Sequence, residues 1–349
     1  MSTFHKLTIE KIIKETADAV SILFTVPTEL KNDYSFSAGQ YITIKTELND
    51  QEIRRAYSIC ASPKSGLIKV AVKAVENGRF STYATTKLKE NTVLEVSEPE
   101  GKFVLKPEAN KNYLGFAAGS GITPVLSMIK AVLESDSSST FTLIFGNKKA
   151  ESTIFYDELN ALSEKYPKQF NLHYVFSKEV RNESKLGRIN KEITNHFVKN
   201  IHKEVSFDDA FLCGPEEMIN TVSDTLQENG FNQENIHFEL FTASTSEEET
   251  DLNIPDGKSE ITVLLDDEET TFTMEKTDDI LAASLRNNLD APYSCQGGVC
   301  SSCIAKVTEG KAVMSKNSIL TDDELEEGFI LTCCAHPTTP KVVIDFDDV

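Results

Sequence analysis

Positive charge is scarce in this chain. Against 55 aspartates and glutamates it carries 35 lysines and arginines, a net charge of −20 with the histidines neutral. No stretch gathers into a basic patch, which argues against a nucleic-acid partner. Long hydrophobic runs are missing too. No apolar stretch approaches the ~20 residues that span a bilayer, and the opening MSTFHKLTIEKIIKE alternates charged with apolar residues and has no signal-peptide core. The six histidines include no pair at metal-ligand spacing, and no Ser/His/Asp grouping stands out, so none is assigned a role. Nothing suggests secretion, so the seven cysteines need no disulfides and a reducing cytoplasm is expected.

What is present is an ordinary globular composition, 349 residues with a hydrophobic fraction of 40%. That length suggests two or three domains. The most informative stretch lies in the last ninety residues, Cys295-Gln-Gly-Gly-Val-Cys300-Ser-Ser-Cys303. Its C-x4-C-x2-C spacing, with a fourth cysteine far downstream at Cys333 or Cys334, is the plant-type pattern for a [2Fe–2S] cluster. Four thiolates are required because each iron takes two sulfur ligands besides the bridging sulfides. Gly297 and Gly298 fall where side chains would obstruct the wrapping loop. Structural zinc usually reads as two separate C-x2-4-C knuckles, whereas here the close spacings overlap in the single run 295–303. The charge is also uneven. Residues 259–349 hold 18 acidic and 6 basic side chains, either a solvated surface or a docking face for a basic redox partner.

Taken in order, residues 4 to 107 read as β-rich. Strand-like runs at 7–13, 20–26, 40–45, 53–60, 67–75 and 93–96 are separated by turn signals such as Ser37-Ala38-Gly39 and Pro63-Lys64-Ser65-Gly66. Six strands at this spacing suggest a small antiparallel β-barrel, with a short helix over 81–88. From Tyr113 strands at 113–118, 141–145, 171–176, 210–213 and 235–241 alternate with helices at 124–134, 156–165, 191–198 and 215–228. That alternation implies an α/β domain with a parallel sheet. Residues 244–258 are polar and aperiodic and read as a linker. A hairpin at 261–265 and 271–274, turned around 266–269, then a helix at 279–288 and the cysteine loop, fit a β-grasp ferredoxin module. The expected fold is therefore multidomain: 1–107 a flavin-type barrel, 108–243 a nucleotide domain, 244–258 the linker and 259–349 the [2Fe–2S] domain.

Four motifs carry the remaining chemistry. Arg55-Ala-Tyr57-Ser58 ends a barrel strand and supplies a cation, an aromatic face and a small hydroxyl, the three groups that phosphates, isoalloxazine ring and N5 of a flavin require. Gly78-Arg-Phe-Ser81 opens a helix after a strand, where free N–H groups favour an anion. Gly119-Ser-Gly121-Ile-Thr123-Pro124 follows the first strand of the α/β domain and starts its first helix, so that the backbone can approach a pyrophosphate. Cys213-Gly214-Pro215 ends a later strand, where ligands bind in open parallel sheets, and Cys213 could lie against a nicotinamide.

In this order, and followed by C-x4-C-x2-C, these motifs resemble the ferredoxin–NADP reductase superfamily with a fused plant-type ferredoxin. Within it they resemble bacterial oxygenase reductases, those of phenylacetyl-CoA epoxidases among them. The resemblance implies that Arg55, Tyr57, Ser58, Gly78 and Ser81 bind FAD and that Gly119, Gly121, Thr123, Pro124, Cys213, Gly214 and Pro215 hold the nicotinamide nucleotide. Tyr57, Ser58 and Cys213 are then the residues nearest the chemistry. It also implies that Cys295, Cys300, Cys303 and Cys333 hold the cluster, because Leu331-Thr332-Cys333-Cys334-Ala335-His336-Pro337 matches the ferredoxin pattern L-T-C-x-A-x-P, whose first cysteine is the ligand.

One departure bears on cofactor choice. Where NADP-using members often place Ser-Arg after the third strand of the nucleotide domain, this chain has Phe176-Ser177-Lys178-Glu179. Lysine keeps the charge and loses the bidentate fork. With Lys148 after the second strand, Lys178 favours NADPH modestly over NADH. The implied function is electron transfer from NAD(P)H through FAD to the cluster and on to an acceptor, an oxygenase of the phenylacetyl-CoA epoxidase type. A general reductase serving another carrier and a redox-sensing cluster module are the alternatives.

Overall fold

The computed structural model describes residues 3–135, 138–182, 184–241, 257–317 and 319–349. Runs rich in β-branched residues form the first six strands, β1 (Phe4–Thr16), β2 (Ala19–Thr25), β3 (Tyr41–Glu47), β4 (Glu52–Ser58), β5 (Ile68–Lys73) and β6 (Val93–Ser97). They pair in the order β4-β3-β6-β1-β2-β5, every pair antiparallel. The two edges meet where Ile59, just past β4, bridges Val70 of β5 and Cys60 donates its N–H to the Lys69 carbonyl. The sheet is thereby closed on itself around Leu7, Ile9, Ile22, Ile42, Ile44, Val70, Val72 and Val96, all fully buried. The first helix, α1 (Arg79–Thr86), plugs this core with Phe80 and Ala84.

The alternating half contains β7 (Asn112–Ala118), α2 (Ile122–Ser135), β8 (Thr140–Asn147), α3 (Tyr156–Lys165), β9 (Phe170–Phe176), β10 (Ser184–Leu186), α4 (Lys191–Asn195), β11 (Asp209–Cys213), α5 (Glu216–Glu228) and β12 (Ile236–Glu239). Its six strands form one parallel sheet in the order β10-β9-β8-β7-β11-β12. The sequence does not announce β10. Three residues with Leu186 facing solvent carry no readable alternation. The helix expected over 191–198 is α-helical only to Asn195 and continues as a π-helical turn, His196–Ile201.

Barrel and sheet share a hydrophobic core. Cys60, Ala71, Phe103 and Leu105 pack in one cluster with Val125, Leu126, Ile129 and Phe211, and Phe103 meets Phe211 edge-on at 5.8 Å. Residues Phe4–Glu239 accordingly form one compact unit, and a second is built from Leu240 onward. The boundary expected between residues 107 and 108 falls inside the first unit.

Most of the expected linker, 244–256, lies outside the described residues. The second unit has its first strand, β13 (Lys258–Leu265), beginning where the linker was expected to end, followed by β14 (Glu268–Glu275), α6 (Ile280–Arg286), β15 (Ile304–Glu309), β16 (Ala312–Met314), α7 (Asp322–Glu326), β17 (Phe329–Leu331), β18 (Ala335–Pro337) and β19 (Lys341–Asp345). The main sheet runs β14-β13-β19-β15-β17, with β13 and β19 parallel at its centre, and β16 pairs with β18. The β13–β14 turn is tighter than expected. Leu265 pairs with Glu268, leaving Asp266 and Asp267 as a two-residue loop at φ 56° and 60°, the backbone twist that right-handed hairpins favour. The Asp347 carboxylate accepts both of their N–H groups at 2.9 and 3.0 Å.

Candidate active site and cluster cradle

In an open parallel sheet, ligands bind beyond the carboxyl ends of the strands where the strand order reverses. Here that point lies between β7 and β11. The Gly119-Ser-Gly121 turn leaves the end of β7, and Cys213-Gly214-Pro215 leaves the end of β11. The two turns touch: a Cβ on Gly121 would sit 2.1 Å from the Cys213 carbonyl oxygen and 3.0 Å from the Gly214 nitrogen. Thr123 is buried, its hydroxyl donating to the Ser120 carbonyl at 3.0 Å, and Pro124 lies in the first turn of α2. Pro215 caps α5.

Cys213 is fully buried as the last residue of β11. Burial, reinforced by Glu239, pushes its thiol well above the ordinary value, so it is a neutral, soft contact surface and not a thiolate. Glu239 ends β12 in register with Cys213. From the barrel, Ser58 reaches the same place and donates from Oγ to the Glu239 carboxylate at 3.3 Å. Ser58, Cys213 and Glu239 thus converge at the switch point from three strands. Glu239 was missed by sequence reasoning; its one local signal is an acidic residue ending the strand Ile-His-Phe-Glu.

The other flavin-type residues line the barrel beside Ser58. Tyr57 stands 5.7 Å from Phe80 of α1, and its hydroxyl is held well above the ordinary range by burial, with Arg55 working against the shift. Arg55 donates to the Arg54 carbonyl. Gly78 caps α1, and the Ser81 hydroxyl accepts the Val75 N–H at 3.3 Å. The exposed lysines Lys148 and Lys178 are brought together by the Lys178 N–H, which donates to the Lys148 carbonyl at 3.0 Å. Asn147, beside them, has a buried side-chain N–H2 without a partner among the described residues. The Glu179 carboxylate accepts the Ala150 N–H at 2.7 Å. Lys178→Ala should raise the Michaelis constant for NADPH about fivefold, the worth of one exposed charge pair, and leave that for NADH nearly unchanged. Equal effects on both cofactors would reject the assignment.

The cysteine loop runs from α6 to β15, and Cys333 lies in the turn Thr332–Cys334 after β17. The Thr332 N–H and hydroxyl both donate to the Cys303 carbonyl, at 3.1 and 3.0 Å, and set Cys333 beside Cys303. Hydrogen bonding to Cys295, then burial, raises the Cys300 thiol, and hydrogen bonding to Cys333, then burial, raises that of Cys303. The four sulfurs therefore meet as a chain of neighbours, 300 to 295, 295 to 333 and 333 to 303. Around one tetrahedral zinc all would lie roughly 3.8 Å apart. Among the described residues, the three-ligand group whose atoms all fall within 4.8 Å of one another is His5, Asp33 and Glu98, with no cysteine in it. A chain of sulfurs of which no three gather around one point fits two irons better than one zinc. Gly298 has φ +70° and packs against the Cys334 sulfur, and the Gly297 N–H donates to the Cys295 sulfur at 3.4 Å.

Residues 6–105 match the oxidoreductase FAD-binding domain family, 116–224 the oxidoreductase NAD-binding domain family and 263–338 the 2Fe-2S iron-sulfur cluster binding domain family. The chain belongs to the ferredoxin–NADP reductase superfamily, among members with a fused plant-type [2Fe–2S] domain, and is an oxidoreductase of FAD, a pyridine nucleotide and [2Fe–2S]. It is 40% identical to one component of the 1,2-phenylacetyl-CoA epoxidase of Escherichia coli (strain K12), over 99% of both chains. It is 31% identical to the ferredoxin reductase component of 3-ketosteroid-9-alpha-monooxygenase from Rhodococcus rhodochrous, over 97% of this chain and 96% of that one. Among solved structures it resembles phthalate dioxygenase reductase, with a TM-score of 0.63, 26% identity and 98% of each chain covered. Among the described residues no helix is long and apolar enough to cross a membrane.

Proposed function

We propose that this chain is the reductase component of a multicomponent oxygenase of the phenylacetyl-CoA epoxidase type, serving phenylacetate breakdown. The observation that carries the reading is likeness to a component of such an epoxidase along 99% of both chains, which spans the flavin, nucleotide and cluster segments together. A bound FAD would supply the chemistry that couples two-electron oxidation of the nucleotide to one-electron reduction of the [2Fe–2S] cluster. The chain's own residues bind and orient. Arg55, Tyr57, Gly78 and Ser81 hold the flavin. Gly119, Gly121, Thr123, Pro124, Gly214 and Pro215 shape the nucleotide cleft, and Lys148 and Lys178 meet its 2′-phosphate. Ser58 and Cys213, with Glu239, would border the place where nicotinamide and flavin meet. Cys295, Cys300, Cys303 and Cys333 hold the cluster.

These roles divide the chain at 1–107, 108–243, 244–258 and 259–349. The seven unpaired cysteines support a cytoplasmic setting. Adding the purified chain and NAD(P)H to the oxygenase component of a phenylacetyl-CoA epoxidase should start turnover; no turnover with a flavin that NADPH reduces would reject this partner. The 18 acidic against 6 basic residues of 259–349 support a basic docking face on that partner. Its charge pairs would be screened over about 10 Å at 0.1 M salt, so acceptor reduction below saturation should slow as salt is added. A rate independent of ionic strength would return the acidic surface to a solubility role.

A further inference from the structure

One face of α2 grips the chain that follows the flavin strand. Ser127, Lys130 and Glu134 are spaced three and four residues apart, which stacks them along a single helix face. The Ser127 hydroxyl donates to the Ala61 carbonyl at 2.7 Å, and the Lys130 ammonium donates to the Cys60 carbonyl at 3.0 Å. The Ser62 hydroxyl donates to the Glu134 carboxylate, and the Lys64 ammonium to the Glu134 carbonyl. Three successive residues, 60 to 62, are thus held by one helix. They lie just beyond Arg55–Ser58, and α2 begins directly after Gly119–Gly121.

The grip is braced by charge. Lys130 pairs with Glu158 of α3 at 2.5 Å, Glu158 also meets Lys69 of β5 at 3.7 Å, and Lys69 lies 3.6 Å from Glu15 of β1. Lys69 further sits 4.8 Å over the Phe155 ring. Ser127 is fully buried on a helix whose neighbouring residues are apolar. Apolar side chains would fill such a face without the cost of desolvating a hydroxyl and an ammonium. Two directed bonds to backbone carbonyls fix position in a way that apolar contact does not.

We propose that Ser127 and Lys130 are positioning residues that set the spacing between the flavin-holding strand end and the nucleotide-holding turn, and so the approach of the nicotinamide to the flavin. The inference rests on the roles proposed above for Arg55–Ser58 and Gly119–Gly121. A displacement of about 1 Å at a reacting pair can cost two orders of magnitude in rate. Neither residue is placed in contact with a cofactor, so their effect should appear in the rate and not in binding.

The test compares holoprotein of wild type, Ser127→Ala and Lys130→Gln. Glutamine retains a donor, and Glu158 keeps Lys69 as a partner. Flavin reduction by saturating NADPH is followed in a stopped-flow instrument and expressed per bound FAD. Nucleotide dissociation constants and hydrogen exchange of amides 59–66 are measured alongside. The limiting rate should fall about tenfold in Ser127→Ala and less in Lys130→Gln, with dissociation constants unchanged and faster exchange at 60–62. Wild-type rates per flavin in both variants would overturn the proposal, as would parallel losses of rate and nucleotide affinity. If Ser127→Ala does not retain FAD, Lys130→Gln decides alone. A wild-type flavin that NADPH does not reduce would instead sink the functional reading beneath it.

Discussion

Cys333→Ser should abolish the [2Fe–2S] spectrum or distort it badly, whereas Cys334→Ser should leave it normal. Sequence spacing leaves the two neighbours equivalent, but their surroundings differ. Cys334 is buried, and its thiol donates to the Lys316 carbonyl at 2.9 Å and the Leu331 carbonyl at 3.4 Å. Cys333 is half-buried next to Cys303, in the turn tied down by Thr332. The difference does not come from strand alternation, as the sequence suggested. β17 stops at Leu331, and the two cysteines share a tight 3-10 turn with their thiols in contact, so what distinguishes them is their other partners. Cys333→Ser should lose most of its iron yet keep NADPH-to-ferricyanide activity, because the flavin and nucleotide residues all lie within Phe4–Glu239. The reverse pattern, an intact cluster in Cys333→Ser and a lost one in Cys334→Ser, would place the ligand one residue later.

Ser58→Ala should slow flavin reduction by saturating NADPH about a hundredfold, the scale on which misplaced reacting groups cost rate. Ser58 is buried and joins the barrel to Glu239 across the switch point. Without the hydroxyl, the Glu239 carboxylate loses that donor beside the fully buried Cys213. Glu239→Gln keeps the shape and removes the charge, and should cost about fivefold, since hydrogen bonds to charged groups are stronger by about a kcal/mol than neutral ones. FAD content should be unchanged in both, because the residues assigned to the phosphates and ring lie elsewhere on β4 and α1. Wild-type reduction rates in both variants would reduce the Ser58–Glu239 contact to a structural tie.

What could be read from the sequence was what is contiguous in it. Arg55–Ser58, the Gly119–Pro124 turn and the cysteine loop each concentrate several functional atoms in a few residues, and the strands around them are long enough to show a period. Glu239 could not be read, because its partner Ser58 lies 181 residues away. Ser127 and Lys130 were equally hidden, since on an otherwise apolar helix they look like stray polar positions until the segment at 60–62 is seen beneath them. In the second unit, β16, β17 and β18 have three residues each, too short to show alternation. Their pairing follows from the cluster loop and the hairpin they complete. The close approach of Gly121 to Cys213 joins residues far apart in the chain, although each glycine already announced a turn.

The most direct test of the electron route is an anaerobic titration of the holoprotein with NADPH, read at each step by visible absorbance and by low-temperature electron paramagnetic resonance. The flavin should bleach, and the rhombic signal of a reduced [2Fe–2S] cluster should grow in with it. Full bleaching of the flavin with no cluster signal, in protein whose iron and sulfide are intact, would contradict the route.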